Sequence, residues 1–249
     1  MKILALDSSG LVASVAVVEN DTLLAEYTVN YKKTHSQTLL PMLDEISNMT
    51  ELDLSTIDAI AVAGGPGSFT GLRIGSATAK GLGLALEKPL ISIPTTAAIA
   101  YNIWDTDKFV CPIMDARRNQ VYTGVYCYTD HRLDTVWEQD TMSIEALAEG
   151  LNCLDHEVIF LGDGVAVYRE KLEALLTIPF SFAPAHVNRQ RAAAVGALAE
   201  VYYKEGKIQT AEEHEPEYLR KSQAERERAE RESVKLSLIH ISEPTRHLR

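Results

Sequence analysis

The stretch GGPGSFTGLRIGSATAKGLGLALEK, residues 64–88, decides how the rest of the chain is read. It follows Asp58-Ala59-Ile60-Ala61-Val62-Ala63, an apolar run short enough for a buried strand. Gly64-Gly65-Pro66-Gly67 breaks that strand into a loop. Ser68 or Thr70 can then cap a helix that runs to about Leu86 and stops before Pro89. Gly71, Gly75, Ala79 and Gly83 recur four apart and so form one row along that helix, widened by Ala77 and Gly81. An interior glycine costs roughly 1 kcal/mol against alanine, so Gly75, Gly81 and Gly83 together cost about 3 kcal/mol. Close approach of another element recovers such a cost, and the protein's own sheet or a second chain could supply it. The expectation is a second chain, with Leu39, Leu43 and Ile46 of the preceding helix beside the row. No Lys-Ser or Lys-Thr pair follows the glycines at P-loop spacing, and no third glycine completes a dinucleotide fingerprint.

Working outward, residues 2–6, 13–18 and 23–27 read as three strands of an antiparallel meander, the first ending in Asp7-Ser8-Ser9-Gly10. Thr34 caps a helix in THSQTLLPMLDEISNM, with Pro41 expected to kink it near Gln37. After the glycine loop and its helix come a strand at 89–93 and a helix at 96–104. The pattern then restarts: strands at 110–114, 121–128 and 135–139, a helix at 144–151 capped by Ser143, a strand at 157–161, the turn Gly162-Asp163-Gly164 and a helix through Leu172. A last helix covers 188–204. The repeat is one of element order rather than of residues, and it implies two α/β halves, 1–104 and 105–222, with a cleft between them. QAERERAERE, residues 223–232, is a charge run with nothing to bury. The segment from 234 to 249, VKLSLIHISEPTRHLR, shares no pattern with the body and reads as an appendage.

The totals, 249 residues with 46% hydrophobic and 24% charged, are those of a globular chain. Cys111, Cys127 and Cys153 make no metal or redox pair, which points to reduced thiols and the cytoplasm. The net charge of −11 opposes unaided nucleic-acid binding, leaving Lys32-Lys33, Arg117-Arg118 and Arg189 with Arg191 as small basic spots. Asp7 with Ser8 could meet a phosphate or its magnesium, or form only a capped turn. His35 would need a second ligand one turn on for a helical metal pair, and that position is Leu39. Ser68 is not in a nucleophile elbow, since Thr70 stands where a glycine is required. The expected catalytic set and the expected metal set are therefore both empty.

Together GGPGSFTGLRIG, ILALDSS, THSQTLLP and MDARRNQVY resemble the TsaB (YeaZ) family over roughly residues 1–222. The resemblance implies a duplicated actin-like fold of the Hsp70 and sugar-kinase type, ribonuclease H-like in each half. It implies a non-catalytic subunit that binds TsaD, the subunit that transfers threonylcarbamoyl to the adenosine beside the anticodon, with TsaC supplying the activated group. TsaE would join the complex, the chain alone would homodimerise, and tRNA would be reached only through the complex. No intrinsic cofactor is implied, with ATP or ADP at a subunit seam left open. The partner surface it implies uses the two helices that hold His35, Leu39, Leu43 and Ile46, and Gly71, Arg73, Gly75, Ala79 and Gly83. An actin-like ATPase or small-molecule kinase, resting on Asp7, is the alternative. A metallopeptidase would need the ligand that Leu39 is not.

Overall fold

The computed structural model describes residues 1–31 and 35–220. Lys32-Lys33, the expected cap Thr34 and the readings of residues 223–249 lie outside them. Met1–Tyr218 form one compact unit; of the other unit, Leu219–Arg249, only Leu219 and Arg220 are described.

The chain runs β1 (Lys2–Asp7), β2 (Val12–Glu19), β3 (Thr22–Asn30), α1 (Leu39–Thr50), β4 (Ala59–Gly65), α2 (Phe69–Leu86), β5 (Leu90–Pro94) and α3 (Thr95–Ala100). It continues with β6 (Phe109–Arg117), β7 (Gln120–Thr129), β8 (Arg132–Ser143), α4 (Ile144–Leu154), β9 (Val158–Leu161), α5 (Gly164–Leu175), β10 (Phe180–Phe182) and α6 (Ala192–Lys204). Two five-stranded sheets result, ordered β3-β2-β1-β4-β5 and β10-β9-β6-β7-β8. Read from the third strand of each half, both are the same arrangement: an antiparallel meander, then two parallel strands. The repeated element order is therefore a repeated topology, the duplicated actin-like fold.

Helices and sheets alternate in five layers. α1 and α2 cover one face of the first sheet, around Leu4, Leu6, Val15, Leu43 and Val62. α4 and α5 cover the outer face of the second sheet, around Ile113, Leu147, Phe160 and Leu172. Between the sheets lie α3 and α6, where Ala5, Ala61, Ile91 and Ile93 meet Val110, Met114 and Tyr126. Alanine dominates α6 because it packs flat on β1 and β2. Its N-terminus is capped by the first half: Ala192 N–H donates to Ser14 Oγ (2.9 Å) and Ala193 N–H to Glu26 Oε1 (3.1 Å), and Arg191 pairs with Glu26.

α1 departs from expectation. It begins at Leu39 after a 3-10 turn, His35–Gln37. Pro41 thus falls in the first helical turn, where an N–H has no partner to lose, and no kink at Gln37 is needed.

Candidate functional site

α2 is set by its own N-terminus: Ser68 is the cap, and its side chain accepts from the N–H of Gly71. The glycine row of this helix turns inward, which corrects the expectation of an outward contact row. A Cβ on Gly71 would lie 2.1 Å from the carbonyl oxygen of Ser8, and one on Gly75 would lie 2.4 Å from Ser8 Oγ. On Gly83 it would meet Leu90 and Ala211, and Ala79 is fully buried. Leu39, Leu43 and Ile46 are likewise buried in the chain's own core. The recovery of the glycine cost is internal, because α2 must lie close to the Asp7–Ser9 turn and the strand ends beneath it.

What faces out is the opposite stripe. Arg73, Ala77, Gly81, Leu84 and Ala85 are exposed, and a Cβ on Gly81 would meet nothing within 4 Å. Arg73 stacks over Phe69, whose ring packs on Tyr218. On α1 the exposed apolar residues are Leu40 and Met49, 54% and 76% accessible. A groove of about 410 Å³ lies at the C-terminal end of α2, between Leu84, Glu87 and the segment carrying Ile208 and Glu212. That segment is strapped down: buried His214 accepts from Gln209 at Nδ1 (2.8 Å) and donates from Nε2 to Ser76 Oγ (2.6 Å). Burial, with the Lys80 charge adding to it, holds the imidazole pKa below its ordinary value. Lys80 Nζ donates to the His214 carbonyl, and Glu217 N–H to that of Gly64.

The second place of interest is where β1 and β4, and β6 and β9, end side by side. Asp7 is fully buried; its Oδ1 accepts from the N–H (2.9 Å) and Oγ (2.7 Å) of Ser9. Burial, with the Asp163 charge adding to it, pushes this carboxyl up to about 6 against the relief those two donors give. Ser8 is occupied, since its Oγ donates to the Gly71 carbonyl (2.8 Å). His35 Nε2 donates to the carbonyl of Gly10 (2.9 Å), bolting the 3-10 turn before α1 to the same turn. On the second sheet, Asp115 accepts from Arg117 N–H and Tyr168 Oη, and burial raises the Asp163 carboxyl. Among the described residues no three His, Cys, Asp or Glu side chains converge on one metal position. No helix among them is long and apolar enough to cross a membrane. Sequence reading finds Asp7 and His35 but not His214, in a segment without motif, nor Gln190, which it places inside a helix over 188–204 whereas the helix begins at Ala192 and leaves Gln190 in the segment before it.

The family model of TsaD, tRNA N6-adenosine threonylcarbamoyltransferase, matches residues 22–228, so the chain is a TsaD-type actin-like protein. The solved YeaZ from Pseudomonas aeruginosa is 27% identical and superposes with a TM-score of 0.76, over 88% of this chain and 99% of that one. Ethanolamine utilization protein EutJ from Carboxydothermus hydrogenoformans, 11% identical with a TM-score of 0.51, covering 80% of this chain and 90% of that one, shares the fold alone. The tRNA threonylcarbamoyladenosine biosynthesis protein TsaB of Bacillus subtilis is 32% identical over 90% of this chain and 96% of its own length. TsaB of Escherichia coli is 30% identical over the same shares, 90% and 96%. The chain belongs to the TsaB family of tRNA threonylcarbamoyladenosine biosynthesis proteins.

Proposed function

We propose that this chain is a non-catalytic subunit of a tRNA threonylcarbamoyladenosine synthesis complex, docking TsaD on the outward faces of α1 and α2. The observation that carries the reading is the stripe Ala77, Gly81, Leu84 and Ala85, which is small and apolar yet exposed, with Leu40 and Met49 on the same side of the sheet. Side chains this short let a partner helix approach closely, and apolar surface of this kind marks an interaction site. His35 and Arg73 flank it, whereas Leu39, Leu43, Ile46 and the inward row support it from beneath. The same face serves self-association when TsaD is absent, and TsaE joins the assembled pair. The net charge of −11 leaves the grip on tRNA to the partner. An ATP or ADP site at a subunit seam would be completed by the partner chain.

The test is co-purification with TsaD of the unaltered chain, Ala77→Glu and Leu84→Glu, with Ala146→Glu on the exposed side of α4 as control. A buried unpaired carboxylate is costly, so the two α2 variants should fold but lose TsaD and any homodimer, while the control keeps both. Retention of TsaD by both α2 variants overturns the assignment.

A further inference from the structure

Three hairpins among the described residues turn in two residues: Asn20-Asp21 between β2 and β3, Arg118-Asn119 between β6 and β7, and Asp130-His131 between β7 and β8. All six of these residues have positive φ, between 49° and 63°. Such turns follow the twist of their strands and favour Asn, Asp or Gly, and histidine also tolerates the left-handed region. Five of the six residues obey that preference. Arg118 does not, and Arg117 before it is left-handed as well, at φ 63°. The conformation is costly for arginine, which lacks the short polar side chain that bonds locally in Asn or Asp.

The turn is nevertheless braced, and by everything except the two guanidinium groups. Asp115 Oδ1 accepts from Arg117 N–H (2.8 Å) and from Tyr168 Oη (3.1 Å). Asn119 Nδ2 donates to both oxygens of Glu145 on α4 (3.0 and 2.9 Å). Lys171 of α5 donates to Asn119 Oδ1 and to Glu145 Oε1. The nearby carboxylates are thus engaged with other groups. Arg117 and Arg118 are exposed, and among the described residues no carboxylate lies within ion-pair distance of either guanidinium, in a chain of net charge −11. Backbone strain kept in a braced surface turn points to a use for the side chains it presents. Guanidinium forks match phosphate oxygens, and exposure of both suits a backbone of many phosphates gripped at several points rather than one small enclosed anion. We propose that the Arg117-Arg118 turn is this chain's own contact with the RNA phosphate backbone in the assembled complex. The proposal rests on the reading of the chain as a subunit of a tRNA-modifying complex. The turn belongs to the second sheet, whereas the docking face covers the first.

The test is binding of an unmodified tRNA transcript to the complex of the full chain with TsaD, over a range of salt concentrations. With Arg117→Asn and Arg118→Asn combined, affinity near physiological salt should fall about tenfold, and the slope of log K against log salt should flatten by about 1–2. Asparagine suits the left-handed turn, so the same variant should melt at or above the temperature of the unaltered chain. Arg132→Asn, at the other end of β7 with its guanidinium paired to Glu205, should bind as the unaltered chain does. Inorganic phosphate at matched ionic strength should not displace the tRNA; displacement would make the turn a small-anion site and overturn the RNA assignment. A double variant that co-elutes with TsaD and keeps both affinity and salt slope overturns the proposal alone. Loss of TsaD or TsaE from the variant assembly also overturns it, and identifies an acidic protein surface as the partner of the turn. No complex between the unaltered chain and TsaD refutes the docking reading and this proposal with it.

Discussion

Gly75→Ala tests the inward packing of α2 more sharply than any other single change. On propensity alone the substitution should stabilise a helix interior by about 1 kcal/mol. The structure reverses the sign. The new Cβ would stand 2.4 Å from Ser8 Oγ, which must move and give up its 2.8 Å bond to the Gly71 carbonyl. Loss of that bond costs about 1 kcal/mol and overpacking about 1–3 kcal/mol, so the net is a loss of about 1–3 kcal/mol. For a chain of this size the melting temperature falls about 2–4 °C per kcal/mol. Gly81→Ala, two turns along on the open side, should instead gain about 1 kcal/mol, since nothing lies within 4 Å of its Cβ. Adding Ser8→Ala to Gly75→Ala should recover most of the loss. With Oγ gone the nearest atoms are Val62 Cγ2 at 3.6 Å and the Cβ at position 8 at 3.8 Å, ordinary contacts. Denaturant unfolding of the unaltered chain, Gly75→Ala, Ser8→Ala and the double variant gives the coupling energy directly. If Gly75→Ala stabilises as much as Gly81→Ala, or if positions 8 and 75 show no coupling, the inward reading of the row fails.

Asp7 binds its proton more tightly in the folded chain than in the unfolded one, with a pKa raised from 3.8 to about 6. Its favourable contribution is therefore present below about pH 4 and is lost as pH rises through about 6, costing about 3 kcal/mol at neutral pH. Asp7→Asn should unfold at higher denaturant than the unaltered chain at pH 7, with the difference vanishing near pH 4. Ser76→Ala leaves the Nε2–H of buried His214 unpaired and should cost about 1–3 kcal/mol in the same assay. Glu26→Ala removes the acceptor of Arg191 and of the α6 N-terminus. A loss of about 2–3 kcal/mol is expected, between an exposed pair and a fully buried one.

The fold was legible because strand patterning and element order carry it. β1, β4 and β6 are short apolar runs, each closed by a polar or glycine turn, and the order three strands, helix, strand, helix occurs twice. Helix ends were less legible. α1 and α2 finish on Glu51 and Glu87 in the left-handed region, φ 51° and 55°, where no glycine signals a stop. Pro41 misled for a related reason: a proline inside a periodic run reads as a kink, yet the run began late enough to place it in the first turn. The glycine row showed that something approaches α2 closely, but glycine spacing alone carries no direction. Only the position of Ser8 above Gly71 and Gly75 decides it, and that is a contact across more than sixty residues. Gln190 and Glu26 escaped sequence reading because each acts on the other half of the molecule.

The most direct test of the central claim is reconstitution of threonylcarbamoyl transfer to tRNA from purified TsaC, TsaD and TsaE, with and without this chain. Modified nucleoside is measured by mass spectrometry. The account predicts product only when this chain and TsaD are both present, and loss of product with the Ala77→Glu and Leu84→Glu variants, whose folding is intact. Transfer by this chain without TsaD, or full activity of the other three proteins in its absence, would contradict it.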